Sequence, residues 1–165
     1  MLGICNGFQA LIKLGLVPYG DIVPMTAECP TLTFNTIGRH QSRLVRTRVA
    51  SNFSPWLAKT EVGDMHTIAI SHGEGRFVAS DDMLAQLKAN GQIATQYVDE
   101  AGVPGMDLSV NPNGSLLAIE GITSPDGRVF GKMGHSERYS NGTFKNVPGE
   151  KDQPLFAAGV EYFAA

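Results

Sequence analysis

A short apolar run that changes directly into a helical pattern, with a cysteine at the junction, constrains this chain more than any other feature. Residues 2–9 read Leu-Gly-Ile-Cys-Asn-Gly-Phe-Gln, and apolar residues continue at helical spacing to position 14. This pattern predicts a strand, a sharp turn and a helix, with Cys5 at the turn. Gly3 and Gly7 flank the cysteine, and we expect glycine at both because a Cβ would clash where the chain folds back.

A turn of this kind lifts the cysteine sulfur above the sheet and places it at a helix N-terminus. Free N–H groups and the positive end of the helix dipole favour a thiolate over a thiol there. The spacing G-x-C-x-G is the cysteine version of the serine nucleophile elbow, so Cys5 is a candidate nucleophile. The alternative interpretation is a small buried hydrophobic residue at the end of a strand.

The composition predicts one globular domain and excludes several classes of protein. The chain has 165 residues, of which 42% are apolar and 18% charged. Apolar runs are too short to cross a membrane, and a net charge of −3 is unlike that of a nucleic-acid-binding protein. The two cysteines, Cys5 and Cys29, form neither a disulfide framework nor a metal site. We therefore expect a reducing, cytoplasmic setting, and we interpret Cys29 as structural.

Alternating and apolar segments predict the remaining elements. Strands are predicted at 31–35, 43–50, 66–71, 93–98 and 128–133, and residues 99–115 form a loop. The first helix ends at Gly15, a second covers about 82–89 behind a cap at Asp81 and Asp82, and a last helix covers 154–163. The succession of strands and helices indicates an α/β fold.

Two polar stretches have both a functional and a structural interpretation. Residues 72–76 (His-Gly-Glu-Gly-Arg) follow a central strand, where open α/β sheets bind ligands, but a plain surface turn fits equally well. A basic cluster is either a solvated strand face, which we favour, or a docking surface for an acidic partner; it comprises Arg39, His40, Arg43, Arg46 and Arg48.

A cysteine nucleophile needs a base, and the base needs a group that orients it. Of four histidines, His135 is the best candidate, because it follows a strand and Glu137 lies two residues on. In an extended or turning segment the two side chains can point the same way, so Glu137 can hold the ring. The alternative is a surface loop in which Glu137 pairs with Arg138.

Several stretches in order make the chain similar to a known family. They are residues 2–9, Ser-His-Gly-Glu-Gly-Arg at 71–76, Asn-Pro-Asn-Gly-Ser at 111–115, Ile-Thr-Ser-Pro-Asp-Gly-Arg at 122–128 and Gly-Lys-Met-Gly-His-Ser-Glu-Arg at 131–138. Together they resemble the class I glutamine amidotransferase domain of phosphoribosylformylglycinamidine synthases, which uses a Cys-His-Glu triad. The resemblance covers essentially the whole chain.

The resemblance implies a role for each matching residue. Cys5 attacks the side-chain amide of glutamine and forms a thioester. His135 acts first as base and then as acid, and Glu137 orients it. The N–H group of Asn6 supplies one donor to the oxyanion.

The resemblance also implies the substrate and the partner. Gln9, His72 and Gly73 help to bind glutamine. The ammonia passes to a synthetase domain or subunit, where ATP and Mg²⁺ activate formylglycinamide ribonucleotide for de novo purine biosynthesis. No cofactor and no metal is expected in this chain itself, and no nucleic acid or membrane is an expected partner.

The implied fold is a flavodoxin-like sheet with flanking helices, lacking its N-terminal strands. Cys5 lies four residues after the first residue, whereas the family has strands and a second oxyanion donor before the elbow. Residues 1–165 are therefore expected to be a single glutaminase domain that is the C-terminal fragment of a larger domain or protein. Loss of one oxyanion donor typically lowers the rate about 10²–10³-fold, so we expect weak or absent activity from the isolated chain.

Two other functions remain open at this point. The chain could be a docking or structural module that retains the triad by descent. It could also be another elbow-cysteine hydrolase, such as a peptidase or a deglycase, although Gln9 and the His-x-Glu arrangement argue against this.

Overall fold

The computed structural model describes residues 1–164, and its main sheet is flanked by helices. The strands are β1 (Leu2–Ile4), β2 (Thr31–Phe34), β3 (Gln41–Val49), β4 (Met65–His72), β5 (Glu74–Val78), β6 (Ile93–Tyr97), β7 (Ile119–Thr123) and β8 (Phe130–Lys132). The α-helices are α1 (Asn6–Leu14), α2 (Leu16–Tyr19), α3 (Asp81–Ala89) and α4 (Leu155–Phe163). None of these helices has the length and apolar character needed to span a membrane.

The main sheet has six strands in the order β1-β8-β7-β6-β3-β4. β1 and β8 run parallel, with Ile4 opposite Lys132, and the other neighbours in this sheet run antiparallel. β2 and β5 form a separate antiparallel pair. The parallel pair matters for function, because the segments after β1 and β8 leave the same edge of the sheet side by side.

Helices cover both faces of the sheet, which confirms the predicted α/β class. On one face α1 buries its apolar side, including Phe8, Leu11 and Ile12. A Cβ on Gly131 of β8 would lie 2.2 Å from the Phe8 ring, so the glycine lets the helix approach closely. On the other face Leu155 of α4 packs with Phe130. Each fully buried side chain of this size contributes roughly 1.5–3 kcal/mol.

Most predicted elements occur at the expected positions, but strand β7 and the short helix α2 were not predicted, and two further details differ. Gly15 ends α1 with φ 85°, as predicted, because a left-handed residue closes the last turn. The cap of α3 is Ser80, whose hydroxyl accepts the N–H of Met83, and Asp81 lies in the first turn. Residues 74–76 belong to strand β5 and pair with β2, so the surface-turn interpretation was wrong.

Candidate active site

Cys5 occupies a strained turn between β1 and α1. Its φ and ψ are 53° and −105°, a conformation that costs a non-glycine residue about 1–3 kcal/mol. Two backbone hydrogen bonds hold it there: its N–H donates to the carbonyl of Lys132 at 2.8 Å, and its carbonyl accepts the N–H of Gln9 at 3.1 Å. The sequence predicted this sharp turn.

The two flanking glycines have different reasons to be glycine. A Cβ on Gly3 would lie 2.5 Å from Leu11 Cδ1 and 2.8 Å from the Gly7 carbonyl carbon, so only glycine fits. A Cβ on Gly7 would meet nothing within 4 Å. The expected clash is therefore real at Gly3 and absent at Gly7.

The thiol of Cys5 is partly buried beside the end of β4. Its Sγ lies 3.6 Å from the carbonyl oxygen of Ser71. Burial raises the pKa of Cys5, and this outweighs the lowering caused by the Asn6 N–H and the charge of Arg138. The predicted preference for the thiolate was wrong for the site without substrate. Desolvation raises the pKa of Cys5 by more than the helix N-terminus lowers it. Cys5 therefore needs a base to become a nucleophile.

His135 lies just after β8, with its ring fixed from one side. Nδ1 and Glu137 Oε1 are 2.5 Å apart, and since the carboxylate accepts, Nδ1 carries the proton. Nε2 is buried and has no hydrogen-bond partner. The backbone N–H of His135 donates to the carbonyl of Ala69 at 2.8 Å. The structure thus pairs His135 with Glu137 and leaves Nε2 as the free base.

The loop after β8 and the turn after β1 lie close together. Ile4 and Lys132 are opposite each other in the parallel pair, so Cys5 and the residues after Lys132 emerge from the same edge. The charges of Glu137 and Arg138 both act on the Cys5 thiol. The three residues predicted to form a triad therefore belong to one site.

Gln9 and Gly73, two of the residues predicted to bind substrate, lie on segments that meet near Cys5. Gln9 Nε2 donates to the carbonyl of Glu74 at 2.5 Å, which ties α1 to the segment that runs from β4 into β5. Ser71, whose carbonyl contacts the thiol, belongs to that segment. Gly73 joins the two strands, and the nearest neighbour of a Cβ placed on it would be the His40 backbone, 3.9 Å away. The helix N-terminus and this segment therefore form the walls beside Cys5.

The ring of His72 faces inward and not toward this space. It is 4% exposed, and its Nδ1 lies 3.0 Å from Asn35 Oδ1. Asn35 Nδ2 donates to the carbonyls of His72 and Arg39, so Asn35 Oδ1 is the acceptor and Nδ1 the donor. Burial, helped by the nearby charge of His40, lowers the pKa of His72 to about 4. His72 is therefore neutral at pH 7. Its buried ring packs on the inner side of the segment that runs from β4 into β5.

Four of the five residues of the basic cluster fall into two groups. The three arginines on β3 are engaged: Arg43 with the Ser109 carbonyl at 2.8 Å, Arg46 with Glu100 at 2.9 Å and Arg48 with Gln96 at 3.1 Å. His40 lies apart from them, with Nε2 3.3 Å from Ser71 Oγ. The arginines fit the solvated-face interpretation, whereas His40 lies at the rim of the candidate site.

Sequence reasoning missed a buried ion pair under the site. Lys132 and Glu120 are completely buried, with Lys132 Nζ 3.6 Å from Glu120 Oε1. Each is a lone charged residue inside an apolar strand, which was the available signal. Cys29, interpreted as structural, lies 3.4 Å from the Thr26 N–H, and hydrogen bonds from Thr26 lower its pKa. No group of three or more His, Cys, Asp or Glu side chains within residues 1–164 is arranged to hold a metal ion.

The model of the CobB/CobQ-like glutamine amidotransferase domain family matches residues 1–163. The chain belongs to this family. The phosphoribosylformylglycinamidine synthase subunit PurQ of Aquifex aeolicus is 39% identical over 140 residues, and that of Synechococcus elongatus is 36% identical over 168. The structure of PurLQS from Thermotoga maritima matches 98% of this chain with a TM-score of 0.69 at 30% identity.

These relatives are longer than this glutamine amidotransferase chain. The aligned region is 85% of this chain and 56% of the Aquifex protein, and 100% of this chain and 63% of the Synechococcus protein. It is 61% of the Thermotoga chain. The chain thus spans a little over half of the length of the curated relatives that it matches.

Proposed function

We propose that this chain carries the glutaminase site of a phosphoribosylformylglycinamidine synthase. Cys5 is the nucleophile, His135 the general base and acid, and Glu137 the group that orients His135. One observation carries the proposal: a cysteine with φ 53° at a strand-to-helix turn leaves the same edge of the sheet as a histidine whose Nδ1 is held by Glu137 and whose Nε2 is free. That arrangement supports a nucleophile activated by a nearby base, which a third group orients.

The first half of the reaction forms a thioester. His135 Nε2 takes the proton from Cys5 Sγ, and the sulfur forms a bond to the carboxamide carbon of glutamine. The carboxamide oxygen becomes negative in the tetrahedral intermediate, and the N–H of Asn6 donates a hydrogen bond to it. This N–H already favours negative charge on the Cys5 sulfur, which indicates that it points toward the reacting atoms.

The second half releases ammonia and regenerates the enzyme. The intermediate collapses, the C–N bond breaks, and His135 Nε2 returns its proton to the leaving nitrogen, which departs as ammonia. Water then attacks the thioester carbon and gives its proton to His135 Nε2. The C–S bond breaks, the sulfur takes that proton back from Nε2, and glutamate leaves with the Cys5 thiol restored. Glu137 stabilises the positively charged ring in both halves because its carboxylate accepts the hydrogen bond from Nδ1–H throughout.

Glutamine binding is assigned to the walls beside Cys5. Gln9 stands one turn into α1 with its nitrogen on the Glu74 carbonyl, so its oxygen remains for the substrate. His72 and Gly73 contribute through the path of their backbone, since the His72 ring is buried. The glutamine amide thus reaches the thiol between α1 and the segment after β4.

The relatives support an assembly with a synthetase partner. The relatives are named as subunits of phosphoribosylformylglycinamidine synthase, and this supports delivery of ammonia to a synthetase partner. ATP with Mg²⁺ belongs to that partner in this proposal and activates the ribonucleotide amide there. The chain itself contributes the ammonia and the surface from which it leaves.

The proposal is tested by labelling the purified chain with an electrophilic glutamine analogue, with and without excess glutamine, followed by mass-resolved peptide analysis. A single adduct on Cys5 that glutamine suppresses is the expected result. The Cys29→Ala variant is the matched control and should label as the wild type does. No adduct on Cys5, or equal unprotected labelling of Cys5 and Cys29, contradicts the proposal.

The same preparation separates the other functions. A non-catalytic module gives no protected adduct and releases no ammonia from glutamine. A different elbow hydrolase cleaves peptide substrates without responding to glutamine. Ammonia release is measured for the chain alone and with the synthetase partner added, and we expect the partner to raise a low rate.

A further inference from the structure

Two buried charges lie beneath the loop that carries His135. Glu120 of β7 and Lys132 of β8 are both 0% exposed. Burial of a charged group costs several kcal/mol even when it is paired, and an apolar pair of similar size is often as stable or more stable. The ion pair therefore needs an explanation other than the stability of the sheet.

The hydrogen bonds of this pair converge on the two residues that flank His135. Gly134 donates its N–H to Glu120 Oε1 at 2.5 Å, and its carbonyl accepts from Lys132 Nζ at 3.0 Å. Lys132 Nζ also donates to Ser136 Oγ at 2.8 Å. His135 is thus bounded on both sides by residues that the pair holds.

The pair is itself anchored from outside the loop. Thr95 of β6 donates its hydroxyl to Glu120 Oε2. Ser136 Oγ donates a hydrogen bond to Gln153 Oε1 at 2.7 Å, just before α4. A Cβ on Gly134 would lie 2.9 Å from Glu120 Oε1, so the loop can sit this close to the carboxylate only because residue 134 is glycine.

We infer that Glu120 and Lys132 are positioning residues, which hold the loop of residues 133–136 so that His135 Nε2 faces the Cys5 thiol. The pair touches neither substrate nor reacting atoms and acts through the Gly134 peptide groups and the Ser136 hydroxyl. The catalytic consequence of this inference rests on the proposed function. Its structural content, a loop clamped by a buried ion pair, does not.

The first test compares two serines that lose equivalent interactions. Ser136→Ala removes the hydroxyl that bonds to Lys132 and Gln153. Ser124→Ala is the matched control, since its buried hydroxyl bonds to Asp126 Oδ1 at 2.5 Å and to the Val129 N–H at 3.0 Å, away from the loop. Both variants should lower the melting temperature by similar amounts.

Only the Ser136→Ala variant should alter the loop. We expect kcat for glutamine hydrolysis to fall about tenfold or more, with KM within about threefold, because a small displacement of a catalytic group slows the chemistry without affecting binding. The amide hydrogens of Gly134 and His135 should exchange faster with solvent than in the wild type. Equal kcat and equal exchange in the two serine variants would overturn the inference.

A double variant tests the ion pair directly. Glu120→Gln with Lys132→Met removes both charges and keeps the side-chain shapes, so it avoids the lone buried charge that each single change leaves. We expect a folded protein with kcat lowered about 10–100-fold, KM little changed and fast exchange at Gly134. A folded double variant with wild-type kcat and exchange would show that the pair is only structural.

The two kinds of failure remain separate. Hydrogen exchange at Gly134 and His135 needs no glutamine turnover, so it tests the clamp even if the wild type releases no ammonia, which would defeat the proposed function alone. If the double variant does not fold, the comparison of the two serines decides.

Discussion

Replacing His72 with glutamine should remove part of the acid sensitivity of the folded chain. The His72 ring is 4% exposed, Nδ1 donates to Asn35 and Nε2 has no hydrogen-bond partner. A second proton would enter at Nε2 and leave a charged, unsatisfied N–H group in the interior. Burial, with a smaller effect of the His40 charge, accordingly lowers the pKa of His72 from 6.5 to about 4.

The sign and size of the effect follow from these two values. The unfolded chain binds the proton first as the pH falls, so the free energy of unfolding decreases between pH 6.5 and about pH 4. Each pH unit within this window corresponds to about 1.4 kcal/mol. The ring should therefore remove about 2 kcal/mol of stability between pH 7 and pH 5.

The assay is urea unfolding followed by circular dichroism at pH 7 and at pH 5. From pH 7 to pH 5 the free energy of unfolding of the wild type should fall by about 2 kcal/mol more than that of His72→Gln. Ser115→Ala is a nearby buried substitution that changes no titratable group. Its free energy of unfolding should differ from that of the wild type by the same amount at both pH values. His66, whose pKa burial also lowers, is present in all three proteins and cancels. A His72→Gln difference of equal size at both pH values would refute this reasoning.

Three further outcomes can be measured. Glu137→Gln should lower kcat for glutamine hydrolysis by about 10²–10⁴-fold with little change in KM, as measured by ammonia release; an unchanged kcat would mean that His135 needs no orienting group. Gly75→Ala should cost about 1–3 kcal/mol in urea unfolding, because the new Cβ would lie 2.5 Å from the imidazole beneath it, whereas Gly7→Ala should stabilise by up to about 1 kcal/mol. Iodoacetamide should modify Cys29 with a half-maximal rate at lower pH than Cys5, since the pKa of Cys29 is lowered and that of Cys5 raised; the opposite order in a mass-resolved pH series would contradict the assignment.

Most of the secondary structure followed from the sequence because its signals are local. The strand at Met65–His72 and the helix at Asp81–Ala89 each carry their own periodicity and end signals. The order of strands in the sheet depends on which apolar faces meet, and no short stretch records this. Strand β4 of the main sheet and strand β5 of the small sheet are separated by the single residue Gly73. In the sequence, this glycine between two strands therefore looked like a turn.

The candidate site also has features that the local sequence predicts and features that depend on the folded chain. The turn at Cys5 and the contact between His135 and Glu137 were predictable because both depend on short spacings along the chain. The charge state of Cys5 was not, because burial outweighs the helix terminus, and burial is a property of the folded chain. Glu120 and Lys132 lie on neighbouring strands, where Gly121 is opposite Lys132, so their pairing exists only once the strands are in register.

The buried pair beneath the His135 loop also restricts the evolutionary routes open to this region. Loss of one partner leaves the other as an unpaired buried charge, which lowers the stability by about 3–5 kcal/mol. This is a large part of the typical free energy of unfolding of a domain, about 5–15 kcal/mol. Mutations at 120 and 132 should therefore become established together. Among related sequences the two positions should be both charged or both uncharged, and lineages that keep the charges should also keep glycine at 134, where a Cβ would lie 2.9 Å from the carboxylate.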